Sequence, residues 1–236
     1  MPPAHLARLT TLLLPLLGAA APAWADVGGT LSLQTDARDR GMSYSGNRPS
    51  AQLGLSWDGP AGWYAGLQLA RARFDADKHG AWLQGYGGRV FEIMPGLDGE
   101  AGVVAHSFQH VGRYDFYEVY AGLLGERWNL RLYHSPDYYG SGDHTVYGEF
   151  NLRWPLAKGV SAIGHVGVLH GHGGRVLSYL EPHGPTRVDL RTGASWQIAA
   201  GSELQLACIA ASRGGSYTWT DSTRRRTAVL SLTVAF

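Results

Sequence analysis

The last ten residues, 227–236, read T-A-V-L-S-L-T-V-A-F and constrain the fold more than any other stretch. Side chains of a strand alternate with a period of two, so Ala228, Leu230, Leu232, Val234 and Phe236 share one face and Thr227, Ser231 and Thr233 the other. A half-apolar strand that stops on an aromatic ring, in a chain that also opens on an export signal, fits the way Gram-negative outer-membrane barrels finish. Hydrocarbon offers no partner for exposed N–H and C=O groups, so both edges of such a strand must be paired. Its simplest second partner is the first strand, which closes a barrel.

The opening of the chain is expected to lie outside that barrel. Arg8 gives a basic start, residues 9–21 form a short apolar run broken by Pro15, and Ala23-Trp24-Ala25 is a small-x-small cleavage site before Asp26. Residues 1–25 are therefore read as a signal peptide cleaved after Ala25, and residues 26–236 as the barrel. The run is too short for a spanning helix, which needs about 18 apolar residues. Cleavage would remove one arginine and no acid, taking the formal charge from +1 to 0. Charge therefore gives no support for a nucleic-acid partner. The single cysteine, Cys208, has no partner for an internal disulfide and is read as a buried or lipid-facing small residue.

Alternating segments recur from Asp26 onward, at 29–36, 50–57, 63–73, 81–91, 100–108, 116–124, 127–134, 145–154, 160–169, 189–198, 203–212 and 226–236. The connections themselves alternate between short turns and longer polar loops. This pattern predicts an all-β, antiparallel, up-and-down transmembrane barrel of about twelve strands. Short turns are expected on the periplasmic side and long loops outside. The segment 81–91 departs from simple alternation, and Gly85, Gly87 and Gly88 suggest a bulge there.

Two sets of residues follow from the alternation. Trp57, Trp63, Trp128, Trp154 and Trp196 lie near short turns on the apolar faces of their strands, and with Phe236 they are expected to form an interfacial aromatic girdle. On the opposite faces stand Glu100, Glu118, Arg131, Glu149, Arg153 and Arg191, with Gln52, Ser56, His106, Asn129, Asn151, Gln197 and Gln205. These are expected to line the interior, either as an ion-paired network or along a narrow wet path. Charges are costly in an interior that is neither paired nor wet.

The loops carry weaker signals. His170, His172, Glu181 and His183 are the most compact set that could ligate zinc or copper. A His-x-His in a glycine-rich loop lacks the geometry of a structural site, so these are read as ordinary loop residues and no metal or cofactor is expected. Arg224, Arg225 and Arg226, with Arg71 and Arg73 at a similar height, could meet lipopolysaccharide phosphates or simply solvate a loop. A lipid-modifying enzyme is the main rival reading. Its candidate pairs, His106-Ser107 and His134-Ser135, are adjacent on strands and point to opposite faces, so no catalytic residue is assigned.

Further residues carry a likeness to a known family. Residues 35–43 (T-D-A-R-D-R-G-M-S), then Pro49, Gln52 and 62–66 (G-W-Y-A-G), then 117–122 (Y-E-V-Y-A-G), Tyr133, 135–140 (S-P-D-Y-Y-G), 165–167 (H-V-G) and Phe236, together resemble the TorF-type porin family. The likeness spans nearly the whole mature chain, although that family's pattern has aromatics where this chain has Ala37 and Asp39. It implies a barrel and a pore, and supplies neither catalytic residues nor a substrate. The expected function is thus an outer-membrane porin or narrow channel for small polar solutes or ions, in contact with outer-membrane lipids and lipopolysaccharide. The alternatives are a lipid-modifying enzyme and a non-conducting structural barrel.

Overall fold

The computed structural model describes residues 26–75, 78–172, 184–215 and 224–236. The expected signal peptide lies outside the described residues, as do Glu181 and His183. The strands are β1 (Asp26–Gln34), β2 (Arg38–Asp39), β3 (Met42–Ser43), β4 (Ser50–Asp58), β5 (Trp63–Asp75), β6 (Lys78–Met94), β7 (Leu97–Phe108), β8 (Phe116–Gly125), β9 (Trp128–Ser135), β10 (His144–Ala157), β11 (Val160–His172), β12 (Thr186–Ala199), β13 (Ser202–Ala211) and β14 (Arg226–Ala235). Among the described residues, β1 and β4 to β14 form a closed antiparallel barrel of twelve strands, and β2 and β3 form a separate hairpin.

The C-terminal strand closes the ring. Thr30 stands opposite Ala235 and Gln34 opposite Ser231 across the β1–β14 seam, while β1 pairs on its other edge with β4. The last residue still takes part: Phe236 N–H donates to Gly29 O at 2.9 Å, and Gly29 N–H donates to Phe236 O at 2.8 Å. No strand edge is left open at this seam, which is what a hydrocarbon environment demands.

Side-chain alternation sorts the barrel into two surfaces. Leu53, Leu55, Leu67, Leu69, Val103, Val119, Leu130, Leu132, Phe150, Leu152, Leu190 and Leu206 are exposed on the outside. Ser32, Gln34, Gln52, Glu100, His106, Glu118, Asn129, Arg131, Asp189, Ser195, Glu203 and Gln205 are buried on the inside. A water-soluble sheet would bury the first set and expose the second. Cys208 is exposed on the outer face.

The glycines of β6 act differently from the expected bulge. The pairing of β6 with β5 and β7 runs without a shift through Gly85, Gly87 and Gly88, and the irregularities fall instead at Arg73/Asp75 and Glu92/Met94, beside the chain reversals. Inside the barrel, missing side chains make room for tyrosines from the neighbouring strand. A Cβ on Gly88 would sit 2.6 Å from the Tyr64 hydroxyl, and one on Gly167 would sit 2.1 Å from the Tyr147 hydroxyl. Gly88 and Gly167 are seats for rings.

Candidate functional site

The interior is crossed by a finger made from the connection between β1 and β4. Its β2–β3 hairpin turns at Arg40 and Gly41, with φ of 47° and 75°. Two successive positive φ values describe a type I′ turn, at a cost of about 1 kcal/mol for the non-glycine residue. The finger is stiffened at its base by the Asp36 carboxylate. That group accepts hydrogen bonds from Arg38 Nε at 2.5 Å, Ser43 Oγ at 2.6 Å and Ser45 Oγ at 3.0 Å. Arg38 also donates to Asn47 Oδ1 at 2.7 Å and to the carbonyls of Gly41 and Arg224.

From that base the tip reaches distant walls of the barrel. A Cβ on Gly41 would lie 2.5 Å from Ala211 Cβ and 2.9 Å from Asp189 Cβ, so the turn presses against β13 and β12. The Arg40 guanidinium extends further and donates to both Glu118 oxygens on β8, at 2.8 and 2.6 Å. It lies 4.2 Å from the Tyr147 ring centroid and 5.3 Å from that of Tyr133. Desolvated cation–π contacts of this kind contribute about 2 kcal/mol.

Above and beside the tip lies an aromatic cluster from the long-loop half of the barrel. Tyr44 of the finger stacks on Trp82 at 4.6 Å, and its hydroxyl bonds to that of Tyr139 in the connection between β9 and β10. Phe116 packs against Tyr139 at 4.5 Å and against His106 at 4.3 Å. Trp82 Nε1 donates to His106 Nδ1 at 3.3 Å. Two connections thus fold inward and meet, 35–49 and 136–143.

The short-turn half of the interior is polar and paired. Arg131 bonds to Glu100 through its Nε and Nη2 and approaches Glu149 to 4.0 Å. Tyr64 donates to Glu100 at 3.1 Å, and Tyr133 to Glu149 at 3.2 Å. Between β10 and β13, Arg153 donates to Glu203 at 2.7 and 3.1 Å and to Ser195 at 2.9 Å. His165 joins Asp189 at 2.8 Å and Asn151 at 2.7 Å. Arg191 stands opposite His165 in the β11–β12 ladder. Ion pairs thus run across this half of the interior.

The structure thus brings Glu100, Arg131 and Glu149 together, and separates them from Arg153, which pairs with Glu203. Glu118 pairs with Arg40 and lies 3.5 Å from His106 Nε2. Arg40 and Glu203 were not among the expected interior charges. Glu203 has the parity of Gln205 and was within reach of simple alternation, whereas Arg40 depends on how a loop folds.

Trp57, Trp63, Trp154 and Trp196 are exposed outside, each within a few residues of a short turn, with Trp128 half-exposed, and Phe236 is exposed just after β14. Arg89 lies over Trp63 at 5.7 Å and Arg127 over Trp154 at 4.9 Å. Among the loop histidines, His170 and His172 meet edge to face at 4.5 Å, and His170 Nδ1 shares a hydrogen bond with Thr186 Oγ1 at 2.7 Å. In the two His-Ser pairs, His106 and Ser135 are buried while Ser107 and His134 are exposed, so each pair is split across the sheet.

Among the described residues the fold is thus a closed twelve-strand antiparallel barrel with a charged interior. Residues 18–236 match the family described as bacterial protein of unknown function (Gcw_chp), and the chain belongs to that family. No curated protein matches. Among solved structures, the chain is similar to the NanC porin, with 11% identity, a TM-score of 0.59, and 89% of this chain and 99% of that one covered. It is also similar to the KdgM porin, with 10% identity, a TM-score of 0.53, and 90% and 98% covered. The KdgM porin in complex with disordered oligogalacturonate aligns equally well.

Proposed function

We propose that this protein is an outer-membrane channel for small polar solutes or ions, narrowed by its own inward-folded finger. The observation that carries the reading is the inversion of the barrel: aliphatic and indole side chains cover the outside, and carboxylates and guanidiniums meet across the inside. Glu100, Glu118, Arg131, Glu149, Arg153 and Arg191 would line the path, and local fields along it would sort solutes by charge and size. The tryptophans and Phe236 would sit at headgroup level on the periplasmic side, with the signal peptide removed after Ala25 during export. Arg71 and Arg226, exposed toward the long-loop end, would meet lipopolysaccharide phosphates. The likeness to TorF-type porins supports a pore, and the oligogalacturonate complex of the KdgM porin supports small polar solutes as the class.

A second reading, a non-conducting structural barrel, is favoured by one observation, the Arg40–Glu118 bridge across the interior. Planar bilayers containing the purified protein, recorded under a salt gradient, separate the two. The channel reading expects unitary currents with a defined reversal potential. Silent membranes across voltages and salts would transfer the protein to the structural class.

A further inference from the structure

At the long-loop end of β9 and β10, three side chains carry buried oxygens that have no hydrogen-bond partner: both carboxylate oxygens of Asp143, Oγ of Ser135 and Oγ1 of Thr145. All three residues are almost fully buried, at 0%, 0% and 1% exposure. Their placement follows from the ladder. Thr145 stands directly opposite Ser135, which puts the two hydroxyls side by side on the inner face. Asp143 precedes Thr145 by two residues and repeats its burial, with exposed His144 between them. A buried carboxylate that accepts no hydrogen bond is strongly disfavoured unless a positive charge meets it.

The surroundings supply oxygen and more negative charge. Asp137, across the same connection, accepts Gly142 N–H at 2.8 Å through one carboxylate oxygen. A hard divalent cation takes about six to eight oxygens from carboxylates, hydroxyls, carbonyls and water. We propose that Asp143, Ser135 and Thr145, with Asp137 at the mouth, form a binding site for a hard divalent cation of the calcium type.

The site has a structural consequence. Asp143 O accepts the Tyr138 N–H at 2.9 Å, and Tyr138 and Tyr139 are the rings this connection sends into the barrel. A cation held by Asp143 would fix the connection that carries Tyr139 to Tyr44 of the finger. This inference stands whether or not the barrel conducts.

Terbium luminescence tests it. The full chain, refolded from denaturant without lipopolysaccharide, is titrated with Tb³⁺ under tyrosine excitation and then with Ca²⁺ as competitor. Tyr138 and Tyr139 are close enough in the chain to sensitise the ion. The proposal expects a saturable signal displaced by Ca²⁺, weakened at least tenfold in Asp143→Asn and measurably in Thr145→Val, and a thermal midpoint raised by Ca²⁺ in the wild type only. Heat-modifiable migration on gels verifies that each variant is folded. No saturable signal in the wild type, or an unchanged signal in both folded variants, overturns the site and leaves Asp143 as a neutral carboxylic acid.

Discussion

Arg40 and Glu118 are joined by two hydrogen bonds, 2.8 and 2.6 Å long, although 77 residues separate them in the chain and the barrel interior separates their strands. Both side chains are nearly buried, at 6% and 1% exposure. A buried pair of this geometry roughly balances its own desolvation, but removing one partner strands the other. In a double-mutant cycle on Arg40→Ala and Glu118→Gln, each single change is expected to destabilise the folded barrel, and the double mutant to cost less than their sum. The coupling should lie toward the upper end of the ~0.5–3 kcal/mol found for contacting residues. Urea unfolding in detergent micelles measures it, and strict additivity would show that the two groups do not depend on each other.

The indoles outside the barrel make a second expectation. Trp57, Trp63, Trp154 and Trp196 are exposed near short turns, whereas Trp82 is buried inside. In vesicles, lipids brominated near the headgroup should quench the emission more than lipids brominated at the acyl-chain ends. Equal or deeper quenching, or strong quenching by aqueous iodide alone, would place these rings elsewhere.

The glycine seats give a third. Gly167→Ala drives a methyl group to 2.1 Å from the Tyr147 hydroxyl and 2.6 Å from an Asp189 oxygen. Overpacking of this kind costs about 1–3 kcal/mol. Adding Tyr147→Phe removes the shortest of three close contacts, leaving the ring Cζ at 2.7 Å, and should restore part of the loss, which thermal unfolding can follow. A neutral Gly167→Ala variant would show that the ring is not seated there.

How far these features can be read from residues alone depends on whether they are local. A period of two is local, so the twelve strands and the inward faces of Glu100, Glu118, Arg131, Glu149, Arg153 and Arg191 could be read directly from alternation. The finger is not local. Its direction is set by Gly41 meeting Ala211 and Asp189, residues far along the chain. The same distance hides the pairing of Arg40 with Glu118. The bulge expected around Gly85, Gly87 and Gly88 failed for a related reason: Gly88 answers to Tyr64 on the next strand, not to its own backbone path.

For the proposed channel, charge selectivity should depend on the pair that links β10 to β13. Arg153 and Glu203 hold each other at 2.7 Å on the short-turn half of the barrel. Arg153→Gln leaves the carboxylate unopposed and should shift the reversal potential toward cation preference. Glu203→Gln should shift it toward anion preference, and equal, unshifted potentials in both variants would remove this pair from the conducting path.

The central claim, a conducting barrel narrowed by its finger, meets its most direct test in unitary conductance. Replacing residues 37–46 by a short glycine-serine linker removes Arg40, Gly41 and Tyr44 while leaving β1 and β4 intact. With heat-modifiable migration verifying the fold, the wild type is expected to show small steps and the linker variant steps several times larger in the same salt. Steps of one size in both proteins would contradict a finger that narrows the path.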